Sequence, residues 1–123
     1  MSAETRAPLR GEIWFVRLPT DPLEKTPRPV VIVSSNGRNR NVRAQTVLVV
    51  PLSTSIHKEV PTHILLSPGE TGLSEASVMK AEDITTVYKR ELIEPKTGLR
   101  TISNSRICAA AHLVVVSMGC APA

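Results

Sequence analysis

Aromatic residues are nearly absent from this 123-residue sequence, which contains one tryptophan, one phenylalanine and one tyrosine. A packed core must therefore be built from valine, isoleucine, leucine and alanine, and the β-branched members of that set favour strands. The scarcity also restricts any platform for stacking nucleic-acid bases to Trp14, Phe15 and Tyr88. Of these, Trp14 lies on a predicted strand and is a better candidate for the core than for a stacking platform.

Two cysteines and three histidines restrict the chemistry further. Cys108 and Cys120 are too few for a disulfide-rich secreted scaffold, so we expect reduced thiols in the cytoplasm. His57, His63 and His112 do not have the spacing of a common metal site. The sequence contains no phosphate-binding loop, dinucleotide fingerprint or nucleophile elbow. We therefore expect neither a metal ion nor a cofactor.

Long hydrophobic runs are also missing, which excludes a membrane-spanning helix and, at the N-terminus, a signal peptide. Hydrophobic residues make up 41% of the chain and charged residues 21%, as in soluble globular proteins. A net charge of +4 permits a polyanionic partner without requiring one. We expect a flexible tail over residues 1–9 and a single domain over residues 10–119.

Short strands dominate the predicted secondary structure. They fall at residues 11–18, 29–34, 45–52 and 62–66, followed by one or two between 77 and 89. The second and third are almost continuously apolar, which indicates central strands buried on both faces. The proline-rich segment 19–27 is predicted to be an exposed loop, and residues 35–43 and 68–72 are predicted to be polar turns.

The C-terminal segment changes to a helical period. One face would carry apolar residues at helical spacing, namely Ile107, Ala110, Ala111, Val114, Val115 and Met118. Ser103 is a candidate N-cap and Gly119 a candidate stop, although the run of three valines at 114–116 weakens the assignment. The sequence thus predicts a mainly β protein with a C-terminal α-helix, arranged as a small β-barrel or strongly curved sheet.

Arg28 is held between two prolines directly before an apolar strand. Proline fixes its own φ and favours extended geometry in the residue before it, so Pro27 and Pro29 stiffen the backbone here. A guanidinium placed in this way can present several donors to a phosphate or a carboxylate. An ordinary surface ion pair is the alternative interpretation.

Other polar residues also stand at strand ends. Ser53 and Thr54 close the third strand, while Lys80 and Glu82 follow the short strand near residue 78. Strand ends in a small barrel converge on one rim, so these side chains could meet Arg28 and form a metal-free site for phosphodiester chemistry. The alternative is that the hydroxyls cap a turn and the charged residues form a solvated pair.

These residues stand in segments whose order and spacing resemble the MazF/PemK (Kid) toxin family over most of residues 10–118. The matching segments are 10–14 (RGEIW), 28–34 (RPVVIVS), 49–54 (VVPLST), 77–87 (SVMKAEDITTV) and 90–92 (REL). The resemblance implies an SH3-like barrel with a terminal helix that forms a homodimer. It also implies a cytoplasmic toxin that cleaves single-stranded RNA at selected sequences without a metal, and that a cognate antitoxin neutralises with a disordered acidic tail.

The resemblance also implies roles for individual residues. The family's arginine corresponds to Arg28 and its hydroxyl to Ser53 or the adjacent Thr54, while its proton-transfer groups correspond to Lys80 and Glu82. The RNA 2′-hydroxyl would attack its own phosphate and leave a 2′,3′-cyclic phosphate, so DNA would not be a substrate. Base choice would depend on the loops at 19–27 and 53–59, and the candidate RNA-binding residues are Trp14, Lys25, His57 and Lys58.

Two other functions are compatible with the same barrel. One is a binding protein that poisons a topoisomerase, as CcdB does, and the other is a catalytically inactive RNA-binding module. The combination of Arg28, Ser53 and Glu82 favours the nuclease, because a pure poison would not need it.

Overall fold

The computed structural model describes residues 6–22 and 26–120, which form six strands and three helices. The strands are β1 (Ile13–Val16), β2 (Arg28–Ile32), β3 (Thr46–Ser53), β4 (His63–Leu66), β5 (Ser77–Lys80) and β6 (Thr85–Tyr88). The helices are α1 (Asn36–Arg40), α2 (Pro68–Thr71) and α3 (Asn104–Ser117), and 3-10 turns occupy Ala81–Asp83 and Lys89–Glu91.

All paired strands run antiparallel, in the order β1-β2-β3-β5-β4, and β6 also pairs with β3. After β6, Ile93 returns to β1 and exchanges two backbone hydrogen bonds with Phe15, with N···O distances of 3.1 and 2.7 Å. This bridge closes β1, β2, β3 and β6 into a small barrel. The prediction of a mainly β fold with a C-terminal helix is therefore confirmed.

The central strands separate two hydrophobic cores. Along β2, Val31 packs into one core with the buried residues of α3, while Val30 and Ile32 point into the other. Successive side chains of a strand point to opposite faces, so a strand between two cores must be apolar at every position. This arrangement explains the nearly continuous apolar run and confirms that β2 is a central strand.

Helix α3 begins and ends near the predicted residues. The Ser103 hydroxyl accepts a hydrogen bond from the Arg106 amide at 3.4 Å, and Gly119 adopts a left-handed φ of +76° after the helix. The apolar face predicted from the helical period is buried only in part, since Ile107 and Ala110 are buried and Met118 is 70% exposed. Ala111 and Val115 are exposed as well. A helical period identifies an apolar face, but it does not show how far the rest of the domain extends beneath it.

Two segments predicted as turns contain short helices. Ser35 caps α1, and α2 begins with a reciprocal capping box in which Ser67 and Glu70 bond each other's backbone amides. Within the predicted tail, Arg6 forms an ion pair with Glu12 at 3.0 Å. Residues 1–5 of that tail lie outside the described residues. No helix in the described ranges is long and apolar enough to cross a membrane.

Candidate active site

A cleft of about 580 Å³ opens where β2 begins and where β3 and β5 end. The antiparallel register produces this meeting point, since Val30 of β2 pairs with Pro51 and Ser53 of β3 pairs with Val78 of β5. The cleft is lined by Thr26, Pro27, Arg28, Pro29, Leu52, Ser53, Thr54, Ser55, Leu73, Ser74, Glu75, Ser77 and Lys80. Four of the five predicted catalytic residues thus share one cleft.

The guanidinium of Arg28 contacts the loop that precedes β2. Its Nη1 donates to Oδ1 of Asp21 at 3.3 Å, and its side chain is 24% exposed. Arg28 also lines a second cleft of about 560 Å³, together with Pro51, Asp83 and Thr85. The ion pair considered from sequence therefore exists, and the same arginine lines the cleft as well.

The two candidate hydroxyls differ in their surroundings. Ser53 is half-buried, and its Oγ accepts a hydrogen bond from the Ser55 amide at 3.1 Å. Accepting this bond leaves the Ser53 hydroxyl hydrogen available for donation into the cleft. Thr54 is exposed. Because its oxygen is held in place, Ser53 is the better positioned of the two donors.

Of the predicted proton-transfer pair, Lys80 lines the cleft and Glu82 does not. Lys80, the last residue of β5, lines the cleft. Glu82 lies on the following 3-10 turn, where its Oε1 accepts a hydrogen bond from Thr62 Oγ1 at 2.7 Å, and it is not among the residues that line the cleft. The carboxylate that does line the cleft is Glu75, from the segment between α2 and β5.

Sequence reasoning missed Asp21 and Glu75. Asp21 belongs to the proline-rich loop, which was interpreted only as an exposed connection, yet its side chain is 11% exposed and contacts Arg28. Glu75 follows a glycine-containing turn and is part of no periodic pattern. Asp21 reaches Arg28, and Glu75 reaches the cleft, through tertiary contacts that single-sequence patterns do not encode.

The structure removes Trp14 from the candidate RNA-binding residues. Its side chain is 0% exposed, so no base can stack on it, and its Nε1 donates to Oε1 of Glu12 at 3.0 Å. Burial by itself would raise the pKa of Glu12, but hydrogen bonds from Arg6, Trp14 and the Leu9 amide outweigh it and lower that pKa. Trp14 is therefore a core residue, the alternative considered from sequence.

Two further RNA-binding candidates, His57 and Lys58, are not among the residues that line the cleft. His57 and Lys58 are exposed in the loop after β3, and His57 Nδ1 lies 3.7 Å from Oε1 of Glu59. Lys25 lies outside the described residues. These positions stay predictions.

A family model described as PemK-like, MazF-like toxin of type II toxin–antitoxin system matches residues 9–115. The chain belongs to this family. It is 34% identical over 93 residues to the endoribonuclease MazF9 of Mycobacterium tuberculosis, covering 70% of this chain and 77% of that protein. It is 30% identical over 113 residues to the endoribonuclease MazF of Staphylococcus epidermidis, covering 89% of this chain and 90% of the relative.

The fold is also similar to a solved structure described as an endoribonuclease in complex with its cognate antitoxin from a mycobacterial species. The two superpose with a TM-score of 0.65 and 24% identity, over 97% of this chain and 100% of that one. This likeness supports the small barrel with a C-terminal helix as the family fold.

Proposed function

We propose that this family member is the toxin of a type II toxin–antitoxin pair and cleaves single-stranded RNA in the cleft beside Arg28. The observation that supports the cleavage site is the convergence of Arg28, Ser53 and Lys80 in one open cleft. These groups offer a guanidinium, a hydroxyl and an amine, and together they can stabilise and protonate a reacting phosphodiester.

The proposed reaction uses the RNA's own 2′-hydroxyl as nucleophile. Its oxygen bonds to the adjacent phosphorus and its proton passes to a base, while the bond to the 5′-oxygen breaks and that oxygen gains a proton. The products are a 2′,3′-cyclic phosphate and a 5′-hydroxyl. Arg28 would donate to the phosphoryl oxygens as charge develops on them, and Ser53 would add a further hydrogen bond, with Thr54 as the second candidate.

Proton transfer would involve Lys80 and one carboxylate. Glu75 has the better position because it lines the cleft, whereas Glu82 hydrogen-bonds to Thr62. Glu82 remains the second candidate. DNA would not be cleaved in this way, since it lacks the attacking hydroxyl.

Two protein partners are proposed, an antitoxin at the cleft and a second copy of the chain at helix α3. An antitoxin with a disordered acidic tail would complement the cations of Arg28 and Lys80 and block access to the cleft. The uncovered apolar end of α3, with Val115 and Met118 exposed, would pair with a second copy of the chain. We propose a cytoplasmic location, since an RNA substrate and an antitoxin of this kind would meet the protein there.

The test is cleavage of a pool of single-stranded RNAs of varied sequence in the presence of a chelator. We expect products ending in a cyclic phosphate, no cleavage by Arg28→Ala and unchanged cleavage by Arg100→Ala, which removes an exposed arginine outside the cleft. Intact RNA with the wild-type protein would overturn the proposal. Trapped DNA breaks with a topoisomerase would favour the CcdB-like alternative.

A further inference from the structure

A second strongly basic surface lies away from the cleavage cleft. We define the basic patch as Arg38, Arg40, Arg43, Lys89 and Arg90, which come from α1, the chain after it and the 3-10 turn after β6. Three of its members line a cleft of about 540 Å³, whose lining residues are Arg6, Ala7, Pro8, Trp14, Asn39, Arg40, Val42, Ala44, Gln45, Lys89 and Arg90. No aspartate or glutamate is among these lining residues.

Two cations of the basic patch hold the surface together. Lys89 Nζ donates to the carbonyl oxygens of Arg38 at 3.4 Å and Asn41 at 2.9 Å, while Arg38 donates through Nη2 to Thr46 Oγ1 at 2.8 Å. Burial and the positive charge of Arg38 lower the pKa of Lys89. These contacts fix α1 against the chain that follows β6, so the surface is preformed.

The other three cations are available to a ligand. Arg40, Arg43 and Arg90 are exposed, and among the described residues none of them forms an ion pair with a carboxylate. The Arg90 guanidinium lies 4.2 Å from the ring centroid of Tyr88, which is 42% exposed. A cation stacked on an accessible ring offers both a charge for a phosphate and a flat face for a base.

We propose that the basic patch is a second RNA-binding surface, which holds the phosphates of an RNA strand outside the cleavage cleft. The inference rests on the proposed function only in taking RNA as the substrate. Strand β3 runs from Thr46, beside Arg38, to Ser53 in the cleft, so the two surfaces lie roughly 23 Å apart along an eight-residue strand. A short RNA therefore occupies one surface, and a long RNA reaches both.

The test measures binding of 2′-O-methyl RNA, which lacks the attacking hydroxyl, so that binding is separated from cleavage. Arg40→Gln/Arg43→Gln is compared with Lys96→Gln/Arg100→Gln, which removes the same charge from exposed positions outside the basic patch. For a strand of about 40 nucleotides, we expect the first variant to lose about tenfold in affinity and to lower the slope of log K against log salt by about 1.4. The control should stay within about twofold of wild type, since its cations are not proposed to contact phosphate.

Equal losses in both variants would overturn the proposal, because net charge alone would explain them. The proposal would also be overturned if Arg40→Gln/Arg43→Gln bound RNA like wild type but bound an acidic peptide more weakly. That result would assign the surface to a protein partner. In cleavage, the Arg40→Gln/Arg43→Gln variant should raise KM for long RNA and leave kcat and the KM for a strand of about 8 nucleotides unchanged. If wild-type protein does not cleave RNA but the binding difference persists, the proposed function fails and the RNA-binding surface stands.

Discussion

Arg28 and Asp21 form a partly buried ion pair in which only one of the two carboxylate oxygens accepts a hydrogen bond from the guanidinium. Arg28 Nη1 lies 3.3 Å from Asp21 Oδ1, while Asp21 Oδ2 is buried without a hydrogen-bond partner among the described residues. The pair holds the arginine at the cleft and neutralises part of its charge before RNA arrives. A phosphate must therefore compete with Asp21 for the guanidinium.

Removal of the Asp21 charge should strengthen the binding of RNA. Asp21→Asn keeps a carbonyl oxygen that can accept from Arg28 and removes the competing negative charge. We expect KM for RNA to fall two- to fivefold, as for an ion pair of about 0.5–1 kcal/mol, with kcat little changed. Steady-state cleavage checks this, with Glu94→Gln as a control for charge outside the cleft. A rise in KM would contradict the competition and show that the Asp21 charge is needed to hold the arginine in place for substrate.

Glu75 and Glu82 should differ strongly in their effect on catalysis. Glu75 lines the cleft, whereas Glu82 accepts a hydrogen bond from Thr62, so Glu75 is the better placed of the two to exchange protons with a phosphodiester in the cleft. We expect Glu75→Gln to lower the single-turnover rate about 100-fold and Glu82→Gln to change it less than about twofold. The opposite ranking would assign proton transfer to Glu82, as the family resemblance implies.

The elements that the sequence predicted well are those whose signal is local. The apolar run of β2 and the caps of α3 depend only on residues close in sequence, so periodicity and capping rules predict their positions. Helix α1 was missed because five residues rich in asparagine and arginine carry no apolar period. Its order depends on Asn39, which is buried and donates to the Ser34 carbonyl at 3.0 Å.

The same distinction separates the predicted from the missed site residues. Arg28 was identifiable because the prolines on either side restrict it locally, and Ser53 because it ends a strand. Glu75 and Asp21 are not identifiable from sequence, since the position of Glu75 in the cleft and the contact of Asp21 with Arg28 depend on how the chain packs. The position of Glu82 has the same origin, because its hydrogen bond joins it to Thr62, 20 residues earlier in the chain.

Gly72 should be essential to stability, unlike Gly119. Both have positive φ values, +79° and +76°, which strain any other residue. A Cβ at Gly72 would also collide with the backbone carbonyl of Gly98, whereas a Cβ at Gly119 meets no atom within 4 Å. We expect Gly119→Ala to cost about 1 kcal/mol and Gly72→Ala several times more. Thermal unfolding checks this, and equal losses would contradict the role of the Gly98 contact.

The carboxylate of Glu70 should make stability depend on pH in the acidic range. Its pKa is lowered from 4.5, first by the hydrogen bond from the Ser67 amide and then by the Arg106 guanidinium, whose Nε lies 2.9 Å from Oε1. Because folding favours the charged form, this contribution is complete above pH 4.5 and is lost as the pH falls through the lower folded-state pKa.

Glu70→Gln should therefore lower the melting temperature near neutral pH, and the difference from wild type should shrink as the pH falls below 4.5. Arg106→Gln should remove only part of this pH-dependent stabilisation, since the Ser67 amide still stabilises the Glu70 carboxylate. Melting curves across this range test both variants. If the difference in melting temperature between Glu70→Gln and wild type stays constant with pH, Glu70 acts by packing and neutral hydrogen bonding. If Arg106→Gln abolishes the whole pH dependence, the ion pair is its main cause.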